Sequence, residues 1–512
     1  GAEFENNGTI TINSDGGFAF FKATGGVIKN YGTFHISGGA AKEYVPGAKP
    51  TGKEIVVNGV KVLDINAPAG SPTATISANG EIQTPVVTNV SGNRNMLSSN
   101  VGLYIDTLRG TNPITGSLSV LGDAADLIIG SEASKVTTSK YIQVPQQIIS
   151  PYNVTIVANP TIKNWNIYSG ALTWISTATL DKSTGLINNI YLAKIPYTAF
   201  AGNEPTPVAV TDTYNFLDGL EQRYGVEELG TREKKLFDKL NEIGKNEKIL
   251  FYQATDEMMG HQYGNVQQRI NETGSLLDKE FRYLHDQWRN PSKQNNKIKV
   301  FGMRNEYNTD TAGIIDYTSN AYGVAYVHED ETVKLGNSSG WYAGAVNNNF
   351  KFKDIGKSRE NQTMVKAGIF KTMSPYMDHN GSLRWTIAGD VFAGRNEMKR
   401  RFLVVDDIFN AKGDYTSYGA AFKTDLGYDI RMSERTHLRP YGALKMEYGR
   451  FSSIKEDDGE VRLEVDGNDY FSVKPEVGME FKYVQPMAVR TQLSVGLSAA
   501  YENELGRVAD GK

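Results

Sequence analysis

The sequence predicts a mostly β chain in three parts. Stacked short strands fill residues 1–200, a helical stretch follows, and an antiparallel transmembrane β-barrel occupies residues 295–512. From Lys297 to Glu502, strand-length runs put apolar residues on one face and polar or charged residues on the other. Between about Tyr214 and Trp288 the period changes to helical. Residues 1–200 are rich in Gly, Asn, Thr, Ser and Val, and short apolar runs there are separated by turn residues. Successive side chains on a strand point to opposite faces, so a charged face repeated strand after strand needs a wet interior and an apolar exterior.

In the first block, Asn7-Gly8 precedes Thr9-Ile10-Thr11-Ile12, and Gly32 precedes Thr33-Phe34-His35-Ile36. Asn-Gly favours positive φ and tight turning. The units resemble rungs of a parallel β-helix, each burying its face against the next; their irregular spacing leaves a β-sandwich as the competing reading. Aromatic residues gather at Trp165, Tyr168, Trp174, Tyr191, Tyr197 and Phe200. They suit a cap on the open end of such a stack, or a local aromatic core without that role. Pro205 and Pro207 mark residues 201–213 as a linker.

In residues 214–290, Leu236, Leu240 and Ile243 share one helix face. A longer stripe, Val266, Ile270, Leu277, Phe281, Leu284 and Trp288, is completed by Gly274, with Arg269, Asp278, Arg282 and Asp286 on other faces. Asn290-Pro291 ends it. The stripe is roughly 34 Å long at 1.5 Å per residue, enough to run through a barrel of about 25 Å apolar height. A helix lying outside the barrel is the alternative.

About nine strands are expected, centred near Phe301, Val324, Ala345, Gly368, Ala388, Lys423, Ala443, Gly478 and Gly496. An odd count makes the barrel incomplete on this reading. Alternation on the central strands assigns Leu383, Trp385, Ile387, Leu438, Leu444, Phe471, Val473, Phe481, Leu493 and Leu497 to the lipid side. Arg384, Asp390, Lys423, Asp425, Arg439, Lys445, Glu447, Lys474, Glu476, Glu480, Lys482 and Arg490 are assigned to the lumen. Long loops are expected over Arg395–Asp414 and Ser452–Asn468. They would hold a basic cluster (Lys399, Arg400, Arg401) and an acidic run (Glu456, Asp457, Asp458, Glu460), both read as solvated charge; contact of the basic cluster with anionic surface lipid is the alternative.

Composition narrows the function classes. The chain has 512 residues and a formal net charge of −4, which gives no reason to expect nucleic acid as a partner. With no cysteine it holds neither a disulfide framework nor a thiolate zinc site. The mean hydropathy of −0.40 agrees with strands that alternate rather than run apolar. There is no Gly-x-Ser-x-Gly, no His-Glu-x-x-His and no Walker-type loop. Ser452 and Lys455 match Ser-x-x-Lys without companion motifs, and the six histidines are scattered. No enzyme, cofactor or metal site is therefore expected.

Taken in order, Asn7-Gly8-Thr9-Ile10, Ala254-Thr255-Asp256-Glu257 leading into the helix that ends at Trp288, and Leu438-Arg439-Pro440-Tyr441-Gly442 resemble the monomeric (type Va) autotransporters of Gram-negative bacteria. The barrel is similar to those of large surface autotransporters of anaerobic oral bacteria, many of them adhesins. The resemblance implies a right-handed β-helical passenger end on the cell surface and a helical linker. It also implies a monomeric outer-membrane barrel of about twelve strands around a pore helix. Implied partners are outer-membrane lipid, the barrel-assembly machinery and, through the passenger, host or bacterial surface receptors. Two other expectations stand beside adhesion: an upstream protease or esterase, and a transport barrel with a periplasmic domain. With Asn271-Glu272 in place of the Asn-Asn step at which some relatives are cleaved, the passenger is expected to stay attached.

Overall fold

A computed structural model describes residues 3–13, 18–21, 27–44, 54–57, 60–64, 72–76, 82–87, 102–113, 115–119, 124–158, 164–180, 186–202, 209–245, 247–285, 295–331, 336–489 and 491–508. Two compact units divide the chain, one drawn mainly from residues 1–255 and the other mainly from residues 256–512.

The first unit begins with strands stacked in parallel. Glu3–Asn6 pairs with Val27–Asn30 from Glu3↔Val27, and Thr9–Asn13 pairs with Thr33–Tyr44 from Thr9↔Thr33, so one turn of chain spans the same length at both places. Gly102–Ile105 joins Val27–Asn30 on one side and Ala124–Ile129 on the other, again in parallel. At the corner, Asn6 Nδ2 donates to Asn30 Oδ1 at 2.8 Å, and Asn30 Nδ2 donates to the Asn112 carbonyl at 3.3 Å. Asn7-Gly8 does not act through positive φ, which Gly8 lacks, and neither does the corner at Tyr31-Gly32. Close stacking selects the glycine instead: a Cβ on Gly32 would lie 2.0 Å from the Gly8 carbonyl oxygen.

Helices α1 (Gln146–Ala158), α2 (Val210–Arg223), α3 (Arg232–Glu242) and α4 (Lys248–Met258) follow. Much of the expected helical linker thus belongs to the first unit, and α2 begins inside the expected 201–213 linker. Trp174 and Tyr197 are fully buried with Tyr224, Phe237 and Phe251. Asn241 ties them, accepting from Trp174 Nε1 at 2.9 Å and donating to Tyr224 Oη at 3.0 Å. Tyr197 stacks on Phe237 with ring centroids 6.3 Å apart. Among the other aromatic residues, Tyr168 and Tyr191 are half-buried, and the side chain of Trp165 lies outside the described residues.

Lys194 lies over the Tyr197 ring, 3.4 Å from its centroid, and pairs with Glu221. Burial pushes its ammonium down to about 8 despite that carboxylate. Burial also pushes Glu221 up, but Lys194 and Lys140 more than offset this and hold it below the usual carboxylate range. From about pH 8 towards the ordinary lysine value of 10.5, the unfolded chain binds a proton at Lys194 that the folded chain has released. Rising pH in that window therefore favours the fold.

The second unit holds helix α5 (Val266–His285) and one antiparallel sheet. Its strands are β1 (Asn296–Tyr307), β2 (Tyr317–Glu331), β3 (Ser338–Phe352), β4 (Arg359–Met377), β5 (Gly381–Val404), β6 (Asp407–Arg431), β7 (Thr436–Phe451), β8 (Ile454–Gly459), β9 (Glu464–Val465), β10 (Asp469–Ala488) and β11 (Thr491–Glu502). The main order is β1-β2-β3-β4-β5-β6-β7-β10-β11, with β8 on β6 and β9 on β8. Each expected strand centre falls within one of the nine long strands. The sheet curls into a half-barrel, and among the described residues β1 and β11 each pair on one side only.

Two expected loops are strand instead. Positions 395–404 extend β5 and 407–414 extend β6, leaving a turn at Val405-Asp406 with Val405 at φ 59°. The 452–468 connection holds the β8–β9 hairpin. Alternation continues through both, which turns Arg400 and Glu456 into the interior; they are buried, and the solvated-charge reading fails for these two.

In the full chain, the urea midpoint of the first unit should rise from pH 8 to pH 10. In Lys194→Met it should rise less, and equal slopes in the two proteins would contradict the assignment.

Candidate functional site

Helix α5 occupies the concave face of the sheet, against β1–β4 and β7. Its 20 residues span about 30 Å. Val266, Ile270, Leu276, Leu277, Phe281 and Leu284 are all buried. They join a core with inward residues of the first strands, among them Ala321, Ala325, Val327, Val346 and Phe350. The Phe281 and Tyr342 rings lie 4.6 Å apart. Gly344 permits this approach, since a Cβ there would lie 2.8 Å from Leu277 Cδ2. Trp288 lies outside the described residues.

The other side of the helix meets charge. Asp278 receives Lys366 at 3.0 Å, Lys445 at 2.5 Å, and Lys423. Lys423 also reaches Asp390 at 2.7 Å, and Glu447 lies 3.7 Å from Lys366 and 3.6 Å from Lys445. Three ammonium groups thus face three carboxylates, with Lys366, Asp390 and Glu447 almost fully buried. Asn271 extends the cluster, donating to Glu447 at 2.6 Å and accepting from Lys474 at 2.9 Å. Gly274 makes room, because Lys366 Nζ would lie 3.1 Å from a Cβ there.

Further along, Arg282 pairs with Glu476 at 3.1 Å and Asp425 at 3.3 Å, over the Tyr441 ring. Arg439 pairs with Asp425 at 2.8 Å and Glu480 at 3.4 Å. In the last helical turn, His285 lies 3.4 Å from Glu329. Near the helix start, buried Arg269 pairs with buried Glu360. Arg400 grips Glu456 in two bonds of 2.8 and 3.0 Å and donates to the Met258 and Val461 carbonyls. Tyr263, just before the helix, donates to Glu456 at 2.9 Å.

Asp390, Lys423, Asp425, Arg439, Lys445, Glu447, Lys474, Glu476 and Glu480 therefore share the helix side of the sheet. Arg384 lines a cavity of about 840 Å³ beside α5, together with Lys423, Arg439, Glu476 and Glu502. Lys482 lies on the same face by register with His437, and Arg490 is outside the described residues. Leu383, Ile387, Leu438, Leu444, Val473 and Phe481 fall on the alternate face and are half-exposed, while Trp385, Phe471, Leu493 and Leu497 are exposed. Sequence reasoning missed Lys366, Glu360, Arg400 and Glu456. The alternation that selected Lys423 also selects Lys366 and Glu360 on β4, had it been followed along that strand.

Removing one member of a buried ion pair costs about 3–5 kcal/mol, because its partner is left buried and unpaired. Asp278→Ala leaves three ammonium groups facing two carboxylates. Amide hydrogen exchange in α5 should accelerate about a hundredfold or more while the control Lys279→Ala, at an exposed position, leaves it unchanged. Unaltered exchange in Asp278→Ala would contradict the role given to this cluster.

Residues 298–511 match the family model described as the autotransporter beta-domain. The translocator domain of the autotransporter NalP from Neisseria meningitidis is a similar solved structure, at 10% identity and a TM-score of 0.35, covering 46% of this chain and 76% of that one. No curated protein matches the sequence. The family match bears on residues 298–511, and that part of the chain is similar to the autotransporter beta-domain.

Proposed function

We propose that this chain anchors a cell-surface passenger in the outer membrane, that the passenger left the cell through the barrel, and that it acts in adhesion. The observation that carries the reading is α5 held along the concave face by a paired set of charges on its polar side. A segment that had merely collapsed onto the sheet would gain from apolar contact alone, and it would leave buried charges uncompensated. The charged residues around α5 line the lumen on this reading, and the alternate face, from Leu383 to Leu497, meets lipid. Among the described residues no helix is long and apolar enough to cross a membrane.

For the passenger, which we read as a right-handed β-helix, support comes from the parallel pairings of the first unit and its stacked asparagines. The aromatic core around Trp174 and Tyr197 closes that stack as a cap. Long stacked surfaces bind by extended contact, which suits adhesion to host or bacterial surface receptors. The barrel-assembly machinery would insert the barrel as a monomer.

The cysteine-free background permits a direct test. Val154 is 72% exposed. In Val154→Cys, a membrane-impermeant maleimide should label intact cells, whereas labelling only after permeabilisation would favour a periplasmic domain. Deleting residues 266–288 should raise the conductance of the chain in planar bilayers, and unchanged conductance would remove α5 as the plug.

A further inference from the structure

The convex face of the sheet carries three cations in a row. Lys351 on β3 lies opposite Arg359 on β4, and Arg359 lies opposite Lys399 on β5. All three are exposed, while their chain neighbours Phe352, Glu360 and Arg400 are buried on the concave side. Among the described residues none of the three side chains has an ion-pair or hydrogen-bond partner. Adjacent strands lie about 5 Å apart, and like charges directly opposite each other are destabilising. Other exposed cations of this unit do find partners, Lys353 with Glu306 and Lys412 with Asp458 at 2.9 Å. The row differs from a single exposed cation such as Lys371, which faces Ser339 and Ile387, in setting three like charges side by side.

What lies beside the row on the same face gives it chemical meaning. Along β4 the outward residues run Arg359, Asn361, Thr363, Val365, Ala367, Ile369, from charge through amide and hydroxyl to hydrocarbon. Asn347 and Asn349 on β3 meet Asn361 and Thr363, with Asn347 Nδ2 donating to Asn361 Oδ1 and to Thr363 Oγ1, each at 2.9 Å. Val365 and Ile369 are exposed at 53% and 71%. At about 3.4 Å per residue, the cations lie roughly 20 Å along the strand from the first of these apolar residues. At the other end of the strands the same face carries aromatic residues instead, Tyr326, Trp341 and Trp385. The cationic row belongs to one rim only.

We propose that Lys351, Arg359 and Lys399, with the amides of Asn349 and Asn361 beside them, bind the headgroup of a phosphorylated glycolipid in the surrounding leaflet. Its phosphates relieve the opposed cations, its sugar hydroxyls meet the amide and hydroxyl patch, and its acyl chains continue onto Val365 and Ile369. This rests on the convex face being lipid-facing.

The test titrates the full chain in detergent with bisphosphorylated lipid A, reading bound lipid by native mass spectrometry. The triple variant Lys351→Gln, Arg359→Gln, Lys399→Gln should bind at least ~10-fold more weakly. Lys371→Gln, on the same face towards the aromatic rim, should bind as the parent does. Dephosphorylated lipid A should bind the parent as weakly as the intact lipid binds the triple variant. Affinity of the triple variant equal to the parent's, equal affinity for the dephosphorylated lipid, or full competition by millimolar inorganic phosphate would overturn the proposal. Circular dichroism confirms that the variants are folded. Flotation with phosphatidylcholine vesicles separates the two readings: a chain that fails to float sinks the lipid-facing assignment itself, whereas one that floats but ignores the phosphates sinks only the headgroup site.

Discussion

A carboxylate on a helix that is surrounded by protein needs a counter-charge, and Asp278 has three. Lys366, Lys423 and Lys445 come from β4, β6 and β7, so a single side chain of α5 engages three strands across the concave face. Asp390 and Glu447 balance the remaining positive charge. Because two sheet carboxylates face three ammonium groups until Asp278 joins them, and Asp278 is unsatisfied without the sheet, the position of α5 along its own axis and its rotation are fixed together. Apolar contact is less selective: a stripe such as Val266, Ile270, Leu277 and Phe281 could slide by a turn at modest cost, whereas moving Asp278 by one turn separates it from its partners.

The same logic organises both ends of the helix. Arg269 with Glu360, and Arg400 with Glu456 and Tyr263, hold the start. Arg282 with Glu476 and Asp425 holds the last turns, where a cation also complements the helix dipole. The two faces of α5 thus use different physics. One is packed against Tyr342, Val346 and Phe350, and the other is paired against a field of alternating charge. Under the proposed role as a translocator that division is useful, since polar contacts exchange with water more readily than an apolar core does once the first pairs open.

Much of this was readable in the sequence because two-residue alternation survives burial. Each strand centre near Phe301, Val324, Ala345, Gly368, Ala388, Lys423, Ala443, Gly478 and Gly496 lies in a long strand. Which charge meets which was not readable. Asp278 was assigned only to a face other than the apolar stripe, and its lysines stand 88 to 167 positions away. Errors came where charge was taken as a sign of solvent. Lys399-Arg400-Arg401 reads as a loop by composition, yet it continues β5, with Arg400 turned inward to Glu456 and its neighbours turned out. Asn-Gly misled for a different reason. The pair suits a positive-φ turn, but Gly8 has no positive φ and instead lies directly against Gly32, where a Cβ would not fit. That constraint arises between turns of chain and leaves no local signature.

The central claim is that α5 lies along the concave face with Leu277 against β3. A Cβ at Gly344 would lie 2.8 Å from Leu277 Cδ2, which makes the two positions suited to a cross-link in a chain without cysteine. The most direct measurement is disulfide formation in the double variant Leu277→Cys, Gly344→Cys under mild oxidation in detergent. The pair Leu277→Cys, Val365→Cys, with Val365 on the exposed face, serves as the control. The account predicts rapid, near-complete intramolecular cross-linking of the first pair and none of the second. Cross-linking absent from the first pair, or equal in both, would contradict it.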